Sequence, residues 1–149
     1  MVAKRIITTL MLNNGILFRS KKFIPDYRYT LNFIDMWSVD ELVILDITRN
    51  LNFADKGKEI FFQKMKEISK NAYIPITAGG GIRQLKDIEK LLKNGADKVV
   101  LNTAAILNPK MINSAAKEFG SQCIVTCIDV KSEGNNFYLM EEYGQKKST

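Results

Sequence analysis

The sequence predicts a parallel α/β fold, built from short buried strands alternating with amphipathic helices. Three observations carry this reading. Apolar, β-branched runs recur at 5–12, 42–47, 74–78, 99–101 and 123–128, each short enough for a strand buried on both faces. Segments with apolar residues at helical spacing lie between them, and caps or glycines fall where those helices begin or stop. Four βα units and a fifth strand are implied. The alternation allows an open doubly wound sheet or a barrel, and no dinucleotide-binding glycine pattern favours the first.

The elements follow in order. The run at 5–12 is the first strand, followed by a helix carried by Leu31, Phe33, Ile34 and Trp37. The run at 42–47 is the second strand, and 48–54 reads as the loop into a helix whose apolar stripe is Ile60, Phe61, Met65 and Ile68. After the third strand come three glycines and a helix striped by Leu85, Ile88, Leu91 and Leu92, stopped at Gly95. The fourth strand leads to Asn108 and Pro109, an N-cap and first helical residue for a helix with Met111, Ile112, Ala115, Ala116 and Phe119 on one face. Gly120 ends it. Beyond the fifth strand, the turn-rich cluster 132–136 followed by 137–140 predicts a small β-hairpin.

Composition narrows the function. The 149 residues are 46% hydrophobic and 26% charged, as expected for one folded domain spanning 1–149. No apolar run reaches the roughly 18 residues that cross a bilayer, and the N-terminus lacks a cleavage signal, so a cytoplasmic location without membrane contact is expected. Histidine is absent, which removes imidazole as base, triad member or metal ligand. Cys123 and Cys127, four positions apart on a strand, would be separated by about 13 Å, too far for a disulfide, and read as reduced core residues. The net charge of +6 is spread along the chain without an aromatic-interleaved basic block. This argues against nucleic acid and suits a phosphorylated small substrate. No metal or cofactor is called for.

The residues able to carry chemistry gather at strand ends. Gly79, Gly80 and Gly81 follow the third strand, where backbone N–H groups can approach a ligand oxygen, and Asn102 with Thr103 stand at the same level after the fourth. A tight turn and ordinary helix capping are the alternatives. Asp46 and Asp129 end the second and fifth strands and could act as general acid or base, with helix capping or pairing to a nearby lysine as the alternative. Period-two alternation puts Arg5 on the face of Thr9 and Met11, and Lys98 on the face of Asn102, at the opposite ends of their strands. With Glu41 opening the second strand, the N-terminal end of the sheet is predicted to carry inward-pointing opposite charges. Solvated surface charge is the alternative.

These residues form a recognisable pattern. Residues 3–7 (Ala-Lys-Arg-Ile-Ile), 40–48, Gly79-Gly80-Gly81-Ile82, 95–99 with 102–105, and Ile128-Asp129-Val130-Lys131 together resemble the cyclase subunit of imidazole glycerol phosphate synthase. The resemblance runs through the whole chain with the motifs in order. It implies a (βα)8 barrel of the TIM type that takes ammonia from a glutaminase subunit, carries it through the barrel, and uses it on a phosphoribosyl substrate. By position it implies that Gly81, Asn102 and Thr103 hold a substrate phosphate and that Asp129 is one of two catalytic aspartates. Likewise Arg5, Glu41 and Lys98 match an ammonia gate, and Asp97 matches a residue at the glutaminase interface.

Two departures stand out. Met11, within Thr9-Leu10-Met11-Leu12, occupies the position of the family's other catalytic aspartate, and a thioether cannot exchange a proton. The loop 19–27 lacks the family's Lys-Gly pair and resembles paralogues that serve acetamidino modification of bacterial surface sugars, where ammonia passes to a sugar-modifying amidotransferase. The histidine-pathway cyclase itself and a non-catalytic scaffold that docks a glutaminase remain alternatives. The second departure is length: a closed barrel takes about 250 residues, so four βα units, a fifth strand and a hairpin amount to the N-terminal part of one. A fragment or a truncated reading frame is expected, without the second phosphate site and the fourth gate residue.

Overall fold

The computed structural model describes residues 4–21, 24–26, 39–48, 56–141, 144 and 146–148. Its main sheet has seven strands in the order β3-β2-β1-β4-β5-β6-β7. These are β1 (Ile7–Asn13), β2 (Ile16–Lys21), β3 (Ile24–Asp26), β4 (Glu41–Asp46), β5 (Ile76–Gly79), β6 (Lys98–Leu101) and β7 (Ile124–Thr126). The neighbours from β1 through β4, β5 and β6 to β7 all pair in parallel. Each crossover therefore lands on the adjacent strand, always in the same direction along the sheet. A doubly wound sheet would reverse at a switch point, so this order selects the barrel topology from the two alternatives.

The helices are α1 (Lys56–Asn71), α2 (Leu85–Lys93), α3 (Thr103–Leu107) and α4 (Pro109–Phe119). Alternation along the strands decides what they cover. Leu10 and Leu12, Leu42 and Ile44, Ile76 and Ala78, and Val99 and Leu101 join Phe61, Met65, Ile68, Ile88, Leu91, Met111 and Ala115 in one buried cluster. Burying a side chain of this size stabilises by about 1.5–3 kcal/mol. The intervening residues, Thr9 and Met11, Val43 and Leu45, Thr77 and Gly79, and Lys98 and Val100, occupy the other, helix-free face. Glu41 and Lys98 meet at the N-terminal end of that face.

Local chemistry explains the boundaries. Asn14 and Gly15 adopt φ of 50° and 72° and turn β1 straight into β2, with Asn13 opposite Ile16; an Asn-Gly pair is suited to a two-residue hairpin turn. A Cβ at Gly15 would also lie 2.2 Å from Ile60 Cγ2, so the exposed Ile60 side chain would have to move to admit one. In α2 the Asp87 side chain caps the start of the helix by accepting from the N–H groups of Arg83 and Gln84 at 2.9 and 3.1 Å. Gly95 and Gly120, with φ of 102° and 92°, follow the ends of α2 and α4.

Several expectations change. The predicted first helix, Leu31 to Trp37, and most of the loop 48–54 lie outside the described residues. The hairpin of β1 and β2 and the five-residue α3 were not expected. Ile60 is exposed rather than part of the α1 stripe. Asn108 precedes Pro109 as expected but makes no side-chain cap; its carbonyl instead accepts from Met111 N. The fifth strand is shorter: a 3₁₀ turn takes Ser121–Cys123, and pairing with β6 ends where Cys127 N donates to Leu101 O. The cysteines are both free, but Cys127 is exposed and so is not a core residue. The chain then enters a second sheet of β8 (Asp129–Glu133), β9 (Asn136–Glu141) and β10 (Lys146–Lys147), in the order β10-β9-β8. The predicted hairpin is β8 and β9, turned by Gly134 at φ 61°. Among the described residues no helix is long and apolar enough to cross a membrane.

Candidate functional site

At the N-terminal end of the strands, one carboxylate gathers two cations. Glu41 opens β4 and is 5% exposed. Its Oε1 accepts from Lys98 Nζ at 2.9 Å and from the Thr77 hydroxyl at 3.0 Å, while Oε2 accepts from Arg5 Nη1 at 3.4 Å. Burial pushes the Glu41 carboxyl up, but the hydrogen bonds from Lys98 and Thr77 and the charges of Lys98 and Arg5 outweigh it. The group is held below its ordinary value of 4.5. Arg5, Glu41 and Lys98 are thus brought together, as the period-two argument expected, and the surface-charge alternative fails for Glu41. The Arg5 side chain is 57% exposed, so its share of the cluster is the weakest.

Two aspartates hold this end in register. Asp40 Oδ2 accepts from Ile6 N, and Asp97 Oδ2 accepts from Ile76 N, both at 2.7 Å. In each case an aspartate just outside a strand binds the backbone of the preceding strand, and the residue after it, Glu41 or Lys98, turns onto the helix-free face. Part of the Asp97 carboxylate is therefore committed within the chain.

The carboxyl end holds the glycine turn, Asn102, Thr103 and Asp129. A Cβ on Gly79 would lie 2.6 Å from Val100 O, and one on Gly80 would lie 2.1 Å from Asp46 O. The obstacles are backbone atoms, so these positions exclude side chains. Gly81, at φ 68°, is exposed. Asn102 precedes α3 but its side chain caps nothing; Nδ2 donates to Asp129 Oδ2 at 3.1 Å. Thr103 is the exposed first residue of α3. Asp129 corrects one expectation: it opens β8 opposite Met140 instead of ending the fifth strand, because the chain has already left β6 to form the hairpin. Met11 lies between Leu45 and Phe18 in register, so apolar neighbours flank it on both sides.

Asp46 does not join this group. It shares the helix-side face of Leu42 and Ile44, where it forms a buried ion pair with Lys58 of α1. Its Oδ1 accepts from Thr48 N at 3.0 Å. The lysine-pairing alternative therefore describes Asp46, and an acid/base role does not. Lys58 and Thr77 are the residues that sequence reasoning missed. Among the described residues, no group of three or more Cys, Asp or Glu side chains is arranged to hold a metal ion.

The chain matches the family model described as "Histidine biosynthesis protein" over residues 8–149. It is 39% identical over its full length to the imidazole glycerol phosphate synthase subunit HisF of Dictyoglomus thermophilum, covering 60% of that protein. It is also 39% identical over its full length to the HisF subunit of Exiguobacterium sp., covering 58% of it. Over 95% of the chain it is 41% identical to a protein of Campylobacter jejuni provisionally named imidazole glycerol phosphate synthase subunit hisF2, covering 57%. The chain spans about three-fifths of the length of the curated relatives it matches. With its sequentially ordered parallel strands and outer helices, it belongs to the histidine biosynthesis protein family and has the architecture of part of that family's (βα)8 barrel.

Proposed function

We propose that this chain acts as a cyclase-type subunit of an imidazole glycerol phosphate synthase-like complex, with ammonia entering at one end of its strands and a phosphorylated substrate held at the other. The observation that carries this reading is the cluster of Arg5, Glu41 and Lys98 at the N-terminal end, with the Asn102–Asp129 pair near the carboxyl end. Two cations around one buried carboxylate would admit neutral ammonia and repel ammonium. Asp97, beside Lys98, would face the glutaminase with the part of its carboxylate that Ile76 N does not use.

At the other end, Gly81 N–H, the Asn102 amide and the Thr103 hydroxyl would hold a substrate phosphate. Asp129, oriented by Asn102, would exchange protons with the substrate. Met11 supplies no second acid or base. A positioned acid or base contributes about 100-fold to 10,000-fold, so cyclisation of the histidine-pathway substrate would be slow. The reading that follows is the branch that passes ammonia to a sugar-modifying amidotransferase for acetamidino modification of a surface sugar, in the cytoplasm. Met11 also favours a second reading, a scaffold that docks and activates a glutaminase without chemistry of its own.

The test joins residues 1–149 to the remaining two-fifths of the Dictyoglomus relative and assays imidazole glycerol phosphate formation with free ammonia. The proposal expects trace turnover, raised by Met11→Asp. Turnover equal to that of the intact relative would assign the chain to the histidine pathway. Complete inactivity of the Met11→Asp protein, with glutaminase stimulation preserved, would favour the scaffold.

A further inference from the structure

Lys58 is among the most deeply buried side chains of the molecule, 2% exposed, and nothing in the chemistry above uses it. Its ammonium pairs with Asp46 Oδ2 and donates to the Gly80 carbonyl oxygen at 3.2 Å. A lysine in the core is costly, and a buried ion pair often contributes less stability than apolar residues of the same volume. The pair is thus better explained by what it holds in place. One end of it is the glycine turn.

The two glycines of that turn adopt φ of 110° and 68°. Glycine reaches these conformations without strain, and glycines on both sides of a peptide leave its plane free to rotate. The peptide between Gly80 and Gly81 is planar and trans, so its C=O and N–H point in opposite directions. A Gly80 carbonyl directed at Lys58, into the layer between sheet and helices, directs the Gly81 N–H away from that layer. Gly80 also rests directly on the Asp46 backbone, so the carbonyl bond and the ion pair act on one rigid contact.

We propose that Lys58 is a positioning residue for anion binding: by holding the Gly80 carbonyl it fixes the peptide plane that presents the Gly81 N–H to a phosphate. The inference rests on the assignment of a phosphate to Gly81, Asn102 and Thr103. It adds a residue of α1 to that site without placing it in contact with the ligand. The glycine turn supplies access, and Lys58 supplies the orientation that glycines alone do not.

Two neutral variants isolate the donor. Asp46→Asn with Lys58→Gln keeps an N–H donor for the Gly80 carbonyl, whereas Asp46→Asn with Lys58→Met removes it; neither leaves a buried unpaired charge. Each is titrated with inorganic phosphate and with ribose 5-phosphate while the Gly81 amide signal is followed. The Gln variant should bind within about twofold of wild type and the Met variant about tenfold more weakly, the size of one lost hydrogen bond. Equal affinity in both folded variants would overturn the proposal. A wild-type Gly81 amide that ignores phosphate would instead overturn the phosphate assignment, and this inference with it. Should the Met variant not fold, wild type decides. A single Gly80–Gly81 peptide orientation without microsecond-to-millisecond exchange supports the proposal, and exchange between two orientations refutes it.

Discussion

Replacing Glu41 by glutamine tests the charge cluster with little change in shape. The carboxylate accepts three hydrogen bonds, two of them from cations. In Glu41→Gln one acceptor oxygen becomes an NH₂ group that must face either the Lys98 ammonium or the Arg5 guanidinium. A hydrogen bond to a charged group contributes about 1.5–3 kcal/mol, and the exposed Arg5 adds little, so a loss of about 2 kcal/mol is expected at pH 7. With a urea dependence of about 2 kcal/mol per molar, the unfolding midpoint falls by about 1 M. The loss must also depend on pH. Because the folded-state value of Glu41 lies below its ordinary 4.5, the unfolded chain binds the proton first as pH falls. The stabilisation is therefore fully present above about pH 5 and disappears as pH drops through the folded value. Urea unfolding of both proteins from pH 7 to pH 3 should show the midpoints drawing together as pH falls below the ordinary value of 4.5. A difference that is absent at pH 7, or constant across the whole range, would refute the reasoning.

Other predictions test the remaining parts. Gly80→Ala places a Cβ against the Asp46 backbone and should destabilise by more than about 2 kcal/mol, measured by thermal unfolding, since backbone cannot step aside. Lys58→Met alone strands Asp46 in the core and should cost about 3–5 kcal/mol in the same measurement, relieved when Asp46→Asn is added. Asp97→Asn keeps an acceptor for Ile76 N but removes its charge; urea unfolding should shift by less than about 1 kcal/mol. A larger shift would make Asp97 a structural residue rather than a candidate for the glutaminase contact.

The legible parts of the fold were those with strong, short-range signals. Apolar β-branched runs located all five parallel strands, and period-two alternation put Arg5 and Lys98 on one face before any register was known. What escaped depends on long-range contacts or weak local signals. Thr77 looks like any strand threonine until pairing sets it opposite Val43 and Lys98, beside Glu41. Lys58 lies in a charged stretch that reads as a helix surface, and only the approach of α1 to the carboxyl end of β4 buries it. Asp46 shows the limit of strand-end reasoning. Position along the strand placed it at the right end, but parity with Leu42 and Ile44 turned it to the wrong face for catalysis. The Asn14-Gly15 turn was present in the sequence between apolar residues and could have revealed the hairpin. At five residues, α3 is too short to show a period.

The most direct measurement of the central claim compares two nitrogen sources. In the joined barrel mixed with a glutaminase subunit, Lys98→Ala should alter product formation from glutamine while leaving the reaction with external ammonia nearly intact, because under the proposed function the cluster at Arg5, Glu41 and Lys98 would meet ammonia only when it arrives from the N-terminal end. Equal loss with both sources would contradict the account and leave those charges the task of holding the strands together.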